Sequence, residues 1–84
     1  MGKVAVLLKI TPKPDYDIDN LKENLESEME IEDIQKKNIG FGLSVLKTLI
    51  LIPDTEEGDT DKLENKISSI EGVKRAEVED INLL

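Results

Sequence analysis

Residues 43–52 read LSVLKTLILI, and this aliphatic stretch decides the fold of the chain. Leucine and isoleucine dominate it, and aliphatic and β-branched side chains of this kind are typical of a buried β-strand. Glycines precede the stretch in Gly40-Phe41-Gly42, and Pro53-Asp54 follow it. Because glycine and proline interrupt regular structure, these residues set both ends of the predicted strand.

A second apolar strand is predicted over Lys3–Ile10, where apolar residues alternate along the chain. Ala5 and Leu7 make its other face partly apolar as well, which indicates a strand at the centre of a sheet. Prolines then end it at Pro12 and Pro14, since proline cannot donate a ladder hydrogen bond. The residues predicted to face the core are Val4, Val6, Leu8 and Ile10.

Two amphipathic helices separate the strands. Asp17 is a plausible N-cap for the first helix, and the second helix has Asp59 or Thr60 as its candidate cap. Gly72 stands where a left-handed C-cap is expected after the second helix. Apolar residues recur at helical spacing in each helix and predict the buried stripes, namely Ile18, Leu21, Leu25 and Met29, then Leu63, Ile67 and Ile70.

Two charged segments complete the order βαββαβ. Ile31–Ile39 has weak alternation and several charges, which favour an edge strand, and Val73–Ile81 is the last predicted strand. Short links and right-handed crossovers then predict an α+β, ferredoxin-like sandwich. It consists of a four-stranded antiparallel sheet with both helices on one face and the first and third strands at the centre. We expect residues 1–84 to form one domain.

The missing residue types exclude several classes of function. The chain has no cysteine and no histidine, so thiolate nucleophiles, zinc–thiolate sites and the usual general base are absent. We therefore expect neither covalent catalysis nor a cofactor. Acidic residues outnumber basic ones by 19 to 11, giving a net charge of −8, which disfavours direct nucleic-acid binding. No segment reaches the length of a membrane span, and we expect a cytoplasmic protein.

Other functions known for this fold are disfavoured because the chain lacks the residues that they require. A metal carrier needs paired cysteines, an RNA-recognition motif needs aromatic residues on its central strands, and an acylphosphatase-like site needs an arginine near the first loop. The only arginine is Arg75, in the last strand. An ACT-like regulatory module that binds a small molecule remains an alternative. Weak binding of a hard cation is a further one, and its carboxylates would be Glu56, Glu57, Asp59 and Asp61.

The segment Gly40-Phe41-Gly42 allows two interpretations. In the first, the glycines supply positive φ in a loop while Phe41 fills the core. In the second, the glycines let a rigid aromatic side chain project from the end of the sheet into a pocket of a partner protein. Large aromatic residues dominate interface hot spots, because they bury much area with few rotatable bonds.

Three segments of the chain resemble the archaeal elongation factor 1-beta family: MGKVAVLLKITPKPDYDIDNLKENL at the start, IGFGL before the long strand, and SSIEGVKRAEVEDI near the end. The resemblance covers essentially all 84 residues in order. It extends to the C-terminal catalytic domain of the eukaryotic elongation factor 1B-alpha subunit, where a glycine–aromatic–glycine sequence recurs. It implies a guanine nucleotide exchange factor that promotes GDP release from elongation factor 1-alpha during translation elongation.

The resemblance also implies roles for individual residues. Gly40, Phe41 and Gly42 match the eukaryotic segment whose aromatic residue contacts the GTPase, so they are assigned to partner binding. The eukaryotic domains use a lysine next to their C-terminus to disturb the magnesium site, whereas this chain ends in Leu83-Leu84. They also carry two lysines after the aromatic segment, where this chain has Ser44 and Val45. We expect Leu83 and Leu84 to contribute partner contact, and simple fraying of the terminus is the alternative.

Overall fold

The structure, a computed structural model, describes residues 3–53 and 59–83. Its elements follow the predicted order βαββαβ and are listed here with their bounds: β1 (Lys3–Pro12), α1 (Ile18–Glu28), β2 (Asp33–Gly40), β3 (Leu43–Pro53), α2 (Asp59–Ser68) and β4 (Val73–Leu83).

The four strands form one antiparallel sheet with the order β2-β3-β1-β4. The two most apolar strands, β1 and β3, therefore lie at the centre, and the charged strands β2 and β4 lie at the edges. This confirms the predicted ferredoxin-like sandwich. The arrangement follows from burial, since a central strand has neighbours on both sides whereas an edge strand stays partly in water.

Both helices pack on the same face of the sheet. The inward residues of β1 are buried together with Leu21 and Leu25 of α1 and with Leu63 and Ile67 of α2. Ile18 and Met29, at the two ends of the first apolar stripe, are partly buried against the same core. The predicted stripes of both helices are thus confirmed. The opposite face of the sheet has no helix over it in the described part of the chain.

The bounds of several strands differ from the prediction. β2 begins at Asp33 rather than Ile31, and β4 continues to Leu83 rather than ending at Ile81. β1 continues through Pro12, two residues beyond Ile10, where Pro12 pairs with Val73. Each bound is set by a partner strand, because Asp33 pairs with Leu49 and Leu83 pairs with Val4. A neighbouring strand can extend a ladder beyond the residues whose own pattern indicates a strand.

Capping of α1 follows the prediction, whereas the role assigned to Gly72 was wrong. Asp17 Oδ1 accepts the Asp19 backbone N–H at 2.9 Å, which caps the first turn of α1. Helix α2 already ends at Ser68, so Gly72 is not its C-cap. Gly72 instead lies in the turn closed by Val73 N–H and Ile70 O at 3.2 Å, with φ +97°. The predicted caps of α2 involve side chains outside the described part.

Tyr16 and Gly72 hold together the end of the sheet at which β1 ends and β4 begins. A Cβ atom at Gly72 would lie 2.5 Å from Tyr16 Cε1, so the tyrosine ring packs directly on the glycine backbone. Asn24 Nδ2 donates to Tyr16 Oη at 2.8 Å and to Glu71 O at 3.1 Å. The Lys13 N–H donates to Gly72 O at 2.8 Å. These contacts fix the β1–α1 loop against the start of β4.

Candidate partner-binding site at the β2–β3 hairpin

The β2–β3 hairpin ends in a two-residue loop formed by Phe41 and Gly42. Gly40 and Leu43 form the last pair of the ladder, so only these two residues connect the strands. Both have positive φ, at +56° for Phe41 and +74° for Gly42. This is the pattern of a type I′ turn, whose backbone twist matches that of the flanking strands.

Phe41 occupies an unfavourable backbone conformation. The first loop position of a type I′ turn favours asparagine, aspartate or glycine, and a bulky residue at positive φ is an outlier. The left-handed conformation raises the energy of such a residue by roughly 1–2 kcal/mol. Strained residues of this kind cluster at functional sites, where the surrounding structure holds them in place.

The side chain of Phe41 lies entirely in solvent, with a relative exposure of 101%. The interpretation in which Phe41 fills the core is therefore wrong. Full exposure of the chain's only phenylalanine, at the tip of a hairpin, is the arrangement that the partner-binding interpretation requires. In the described part of the chain, Phe41 is not among the residues that pack against the core, so core packing does not account for an aromatic residue here.

Two further apolar residues flank Phe41 and were not singled out from the sequence. Ile39 is 53% exposed and Leu43 is 59% exposed, on either side of the loop. Ile39 is also the extra residue of a β-bulge, because the register shifts between Asn38 and Gly40. The sequence signal that could have identified Ile39 was an isoleucine directly before Gly40, at the end of a strand rich in charged residues. With Phe41 they form an exposed apolar surface, named here the hairpin tip.

Polar contacts fix the ladder just below the hairpin tip. The Ser44 hydroxyl donates to Asn38 Oδ1 at 2.6 Å across the two strands.

Gly40 has φ +98°, and a Cβ atom at Gly40 or Gly42 would meet nothing within 4 Å. The two glycines are therefore needed for the backbone conformation of the turn rather than for close packing.

The structure separates the two parts of the predicted site. Leu83 ends β4 beside Val4, at the end of the sheet opposite to the hairpin tip. Strand β3 runs between these ends over 11 residues, which corresponds to roughly 35 Å at the usual rise per residue. Leu83 is itself 72% exposed. Leu84 lies outside the described residues.

The described residues offer no cluster of ligands for a metal ion. Among them, no three His, Cys, Asp or Glu side chains come together as a metal site. Of the carboxylates considered for a cation, Glu56, Glu57 and the side chain of Asp59 lie outside the described part. Asp61 is exposed on α2. Within residues 3–53 and 59–83, neither helix combines the length and the apolar character that crossing a bilayer requires.

The fold and the hairpin tip together define a small ferredoxin-like domain that presents a strained and fully exposed aromatic residue. Comparison with known proteins gives a more specific assignment, to a protein family. Residues 5–84 match the domain family described as EF-1 guanine nucleotide exchange domain. Elongation factor 1-beta of Methanosphaerula palustris is 46% identical over 99% of both chains. That of Thermoplasma acidophilum is 44% identical over 100% of both chains.

The chain belongs to the EF-1 guanine nucleotide exchange domain family. A third relative, elongation factor 1-beta of Methanocorpusculum labreanum, is 42% identical over 100% of this chain and 99% of its own. The family assignment confirms the resemblance found in the sequence. It also confirms the role that the resemblance implies, which is nucleotide exchange during translation elongation. It favours exchange over the ACT-like regulatory alternative.

Proposed function

We propose that this chain promotes GDP release from elongation factor 1-alpha and that the hairpin tip binds that GTPase. The observation that carries the proposal is the full exposure of Phe41 at a positive-φ position. The family assignment supports the exchange activity, and the exposed aromatic residue supports the place at which the partner binds. We assign residues 1–84 to one exchange domain acting in the cytoplasm, without direct contact to nucleic acid.

Exchange of this kind needs differential binding and no covalent chemistry. A factor that binds the nucleotide-free GTPase more tightly than the GDP-bound form lowers GDP affinity by the same ratio, because the two binding equilibria are linked. The proposed step therefore does not depend on histidine or cysteine, and the chain has neither. A rigid side chain that enters a pocket available only in the nucleotide-free form would supply the difference.

The hairpin tip has the right magnitude for this role. Burying a phenylalanine side chain from full exposure contributes about 1.5–3 kcal/mol. Coupling energies between two ligands of one protein are typically about 1–3 kcal/mol, or roughly 5- to 150-fold in affinity. The burial energy of Phe41 alone is therefore comparable to a typical coupling free energy between two ligands. Ile39 and Leu43 extend the apolar contact around it.

The C-terminal residues belong to a separate contact in this proposal. Because Leu83 lies at the far end of the sheet, it cannot enter the pocket that receives Phe41. We retain Leu83 and Leu84 as a second point of contact, which requires a partner that extends along the length of the sheet. Because Leu83 and Leu84 are both apolar, this contact would act by apolar insertion rather than by charge.

Stopped-flow release of a fluorescent GDP analogue from the cognate GTPase tests both contacts. We expect wild-type protein to accelerate release, and Phe41→Ala to remove most of that acceleration while far-UV circular dichroism stays unchanged. Met29→Ala is the matched control, since Met29 is a partly buried apolar residue at the end of α1, on the helical face of the sheet and away from the hairpin tip. No acceleration by the wild-type protein would refute the exchange function.

Removal of the last two residues separates the two contacts. If truncation after Asn82 slows exchange and Phe41→Ala slows it further, both ends bind the partner. Changes at sites this far apart are expected to be additive within about 0.5 kcal/mol. Exchange that survives truncation unchanged would remove Leu83 and Leu84 from the site and leave the hairpin tip as its only part.

A further inference from the structure

We propose that a lysine-lined groove beside the hairpin tip docks an acidic, extended segment of the partner protein. The groove has a volume of about 420 Å³ and lies between the β1–α1 loop and the β2–β3 hairpin. Its basic residues are Lys13, Lys36 and Lys74, and Ile18, Ile39 and Leu43 are among its apolar ones. The inference rests on the proposed GTPase as partner, and it names the chemistry of the segment that binds.

The charge of the groove is opposite to that of the whole chain. Three lysines line it together with a single carboxylate, Asp15, in a protein whose net charge is −8. Within the described residues, no carboxylate forms an ion pair with any of these three lysines, whereas Lys9 and Lys47 pair with Glu77 and Glu79. The ammonium groups of the groove are therefore available to carboxylates of a ligand.

Two β-bulges place residues in the groove. The register of β1 and β4 shifts between Thr11 and Pro12, which makes Lys74 the extra residue of β4. Ile39 is the extra residue of β2. Bulges turn a side chain away from the regular alternation of a strand and are common beside functional sites. One bulge thus contributes a charge to the groove and the other contributes an apolar side chain.

An acidic peptide fits this surface better than a nucleic acid does. The volume lies within the usual range for ligand pockets, about 300–1,000 Å³, and apolar side chains lie between the lysines. Single-stranded nucleic acids need aromatic rings on which bases can stack. The aromatic residue of the groove is Tyr16, whose ring packs on Gly72 and whose hydroxyl is bonded to Asn24.

The groove is continuous with the hairpin tip. Gly42, Ile39 and Leu43 line it, and Gly42 is the neighbour of Phe41 in the loop. A partner that receives Phe41 therefore also covers the groove. Attraction between the lysines and an acidic segment would orient this otherwise acidic protein, with its basic end foremost, before the aromatic ring inserts.

Binding to defined probes tests the groove without the GTPase. The labelled full chain is titrated, with NMR detection, with a synthetic peptide of alternating glutamate and leucine, and separately with a single-stranded oligouridine. We expect saturable shifts at the amides of Lys13, Lys36 and Lys74 with the peptide only. Shifts with the oligouridine alone, or with neither probe, would overturn the proposal.

Two triple variants of equal net charge provide the comparison. Replacing the three groove lysines by glutamate should weaken peptide binding by roughly tenfold or more. In the control variant, exposed lysines away from the groove are replaced instead, namely Lys3→Glu, Lys22→Glu and Lys66→Glu. An equal loss in both variants would mean that overall charge, and not the groove, attracts the peptide.

The same variants in the exchange assay separate this inference from the proposed function. We expect the groove variant to associate with the GTPase about five- to tenfold more slowly at low salt, with the difference disappearing at high salt. If the wild-type protein promotes exchange and both variants associate with the GTPase at identical rates, the exchange function is kept and the groove proposal is overturned. Absence of exchange would refute the function, and the peptide titration would still decide whether the groove binds acidic segments.

Discussion

Replacing Phe41 by asparagine should make the protein more stable and less active. The side chain is fully exposed, so its removal sacrifices no packing. At φ +56° a residue other than glycine is strained by roughly 1–2 kcal/mol, and asparagine tolerates this conformation better than phenylalanine does. We expect Phe41→Asn to raise the free energy of unfolding by about 0.5–1 kcal/mol. For a domain of this size, that corresponds to roughly 2–8 °C in melting temperature.

Activity should change in the opposite direction. An aromatic hot spot contributes at least about 2 kcal/mol to binding, which corresponds to roughly thirtyfold. We therefore expect the acceleration of GDP release at limiting concentrations of the factor to fall by about that ratio. Urea unfolding followed by far-UV circular dichroism measures the first quantity, and stopped-flow nucleotide release measures the second. Met29→Asn should show the reverse pattern, with lower stability and unchanged exchange, because Met29 packs on the core from the helical face.

Two results would refute this reasoning. A loss of stability in Phe41→Asn would mean that the ring packs on the protein in solution and that the backbone strain is not the dominant effect. A gain of stability with full exchange activity would mean that the exposed ring has no role in binding. The site would then have to lie elsewhere, and the C-terminal end of β4 would be the next candidate.

Substitutions at three further positions test the fold that holds the site. Thr48 is fully buried, and among the described residues its hydroxyl has no hydrogen-bond partner. Thr48→Val should therefore stabilise the protein by about 1 kcal/mol; a lower urea midpoint would contradict this. Gly72→Ala combines φ +97° with a 2.5 Å approach to Tyr16 Cε1, and we expect a loss of at least about 2 kcal/mol. A thermal melt within a degree of wild type would show that the ring moves freely. Asp17→Ala removes the cap of α1 and should lower stability by about 1 kcal/mol, whereas Asp17→Asn should retain most of it.

The sequence predicted the central elements because their patterns follow directly from burial. Alternation in Lys3–Ile10 and helical spacing in the first helix identify the buried faces without knowledge of any partner strand. The bounds of β2 and β4 were less predictable, because they are edge strands whose charged residues pair with apolar ones on their neighbours. Their limits depend on the length of the adjoining strand rather than on their own composition.

The turn at the candidate site was predictable from the sequence, whereas its geometry was not. Gly40-Phe41-Gly42 was recognisable as a turn, yet the exposure of the ring depends on which residues close the ladder. Pairing of Gly40 with Leu43 makes the loop two residues long and turns Phe41 outward. The basic groove was harder still, because its three lysines come from separate segments that only the folded chain brings together.

The conformation of the hairpin tip is held by the β2–β3 ladder, whose last pair is Gly40 and Leu43, rather than by contacts with the core. A Cβ atom at either glycine would meet no neighbour, and the ring of Phe41 is free of the core. The two-residue loop nevertheless fixes the direction of the aromatic residue, because a type I′ turn allows few backbone states. A residue whose backbone is held in this way loses little backbone freedom on binding, so more of its burial energy appears as affinity. In a linked equilibrium, only binding energy that differs between the GDP-bound and nucleotide-free GTPase accelerates release. A rigid tip suits that requirement, since it cannot adapt to a closed pocket and gains its contact only where the pocket is open.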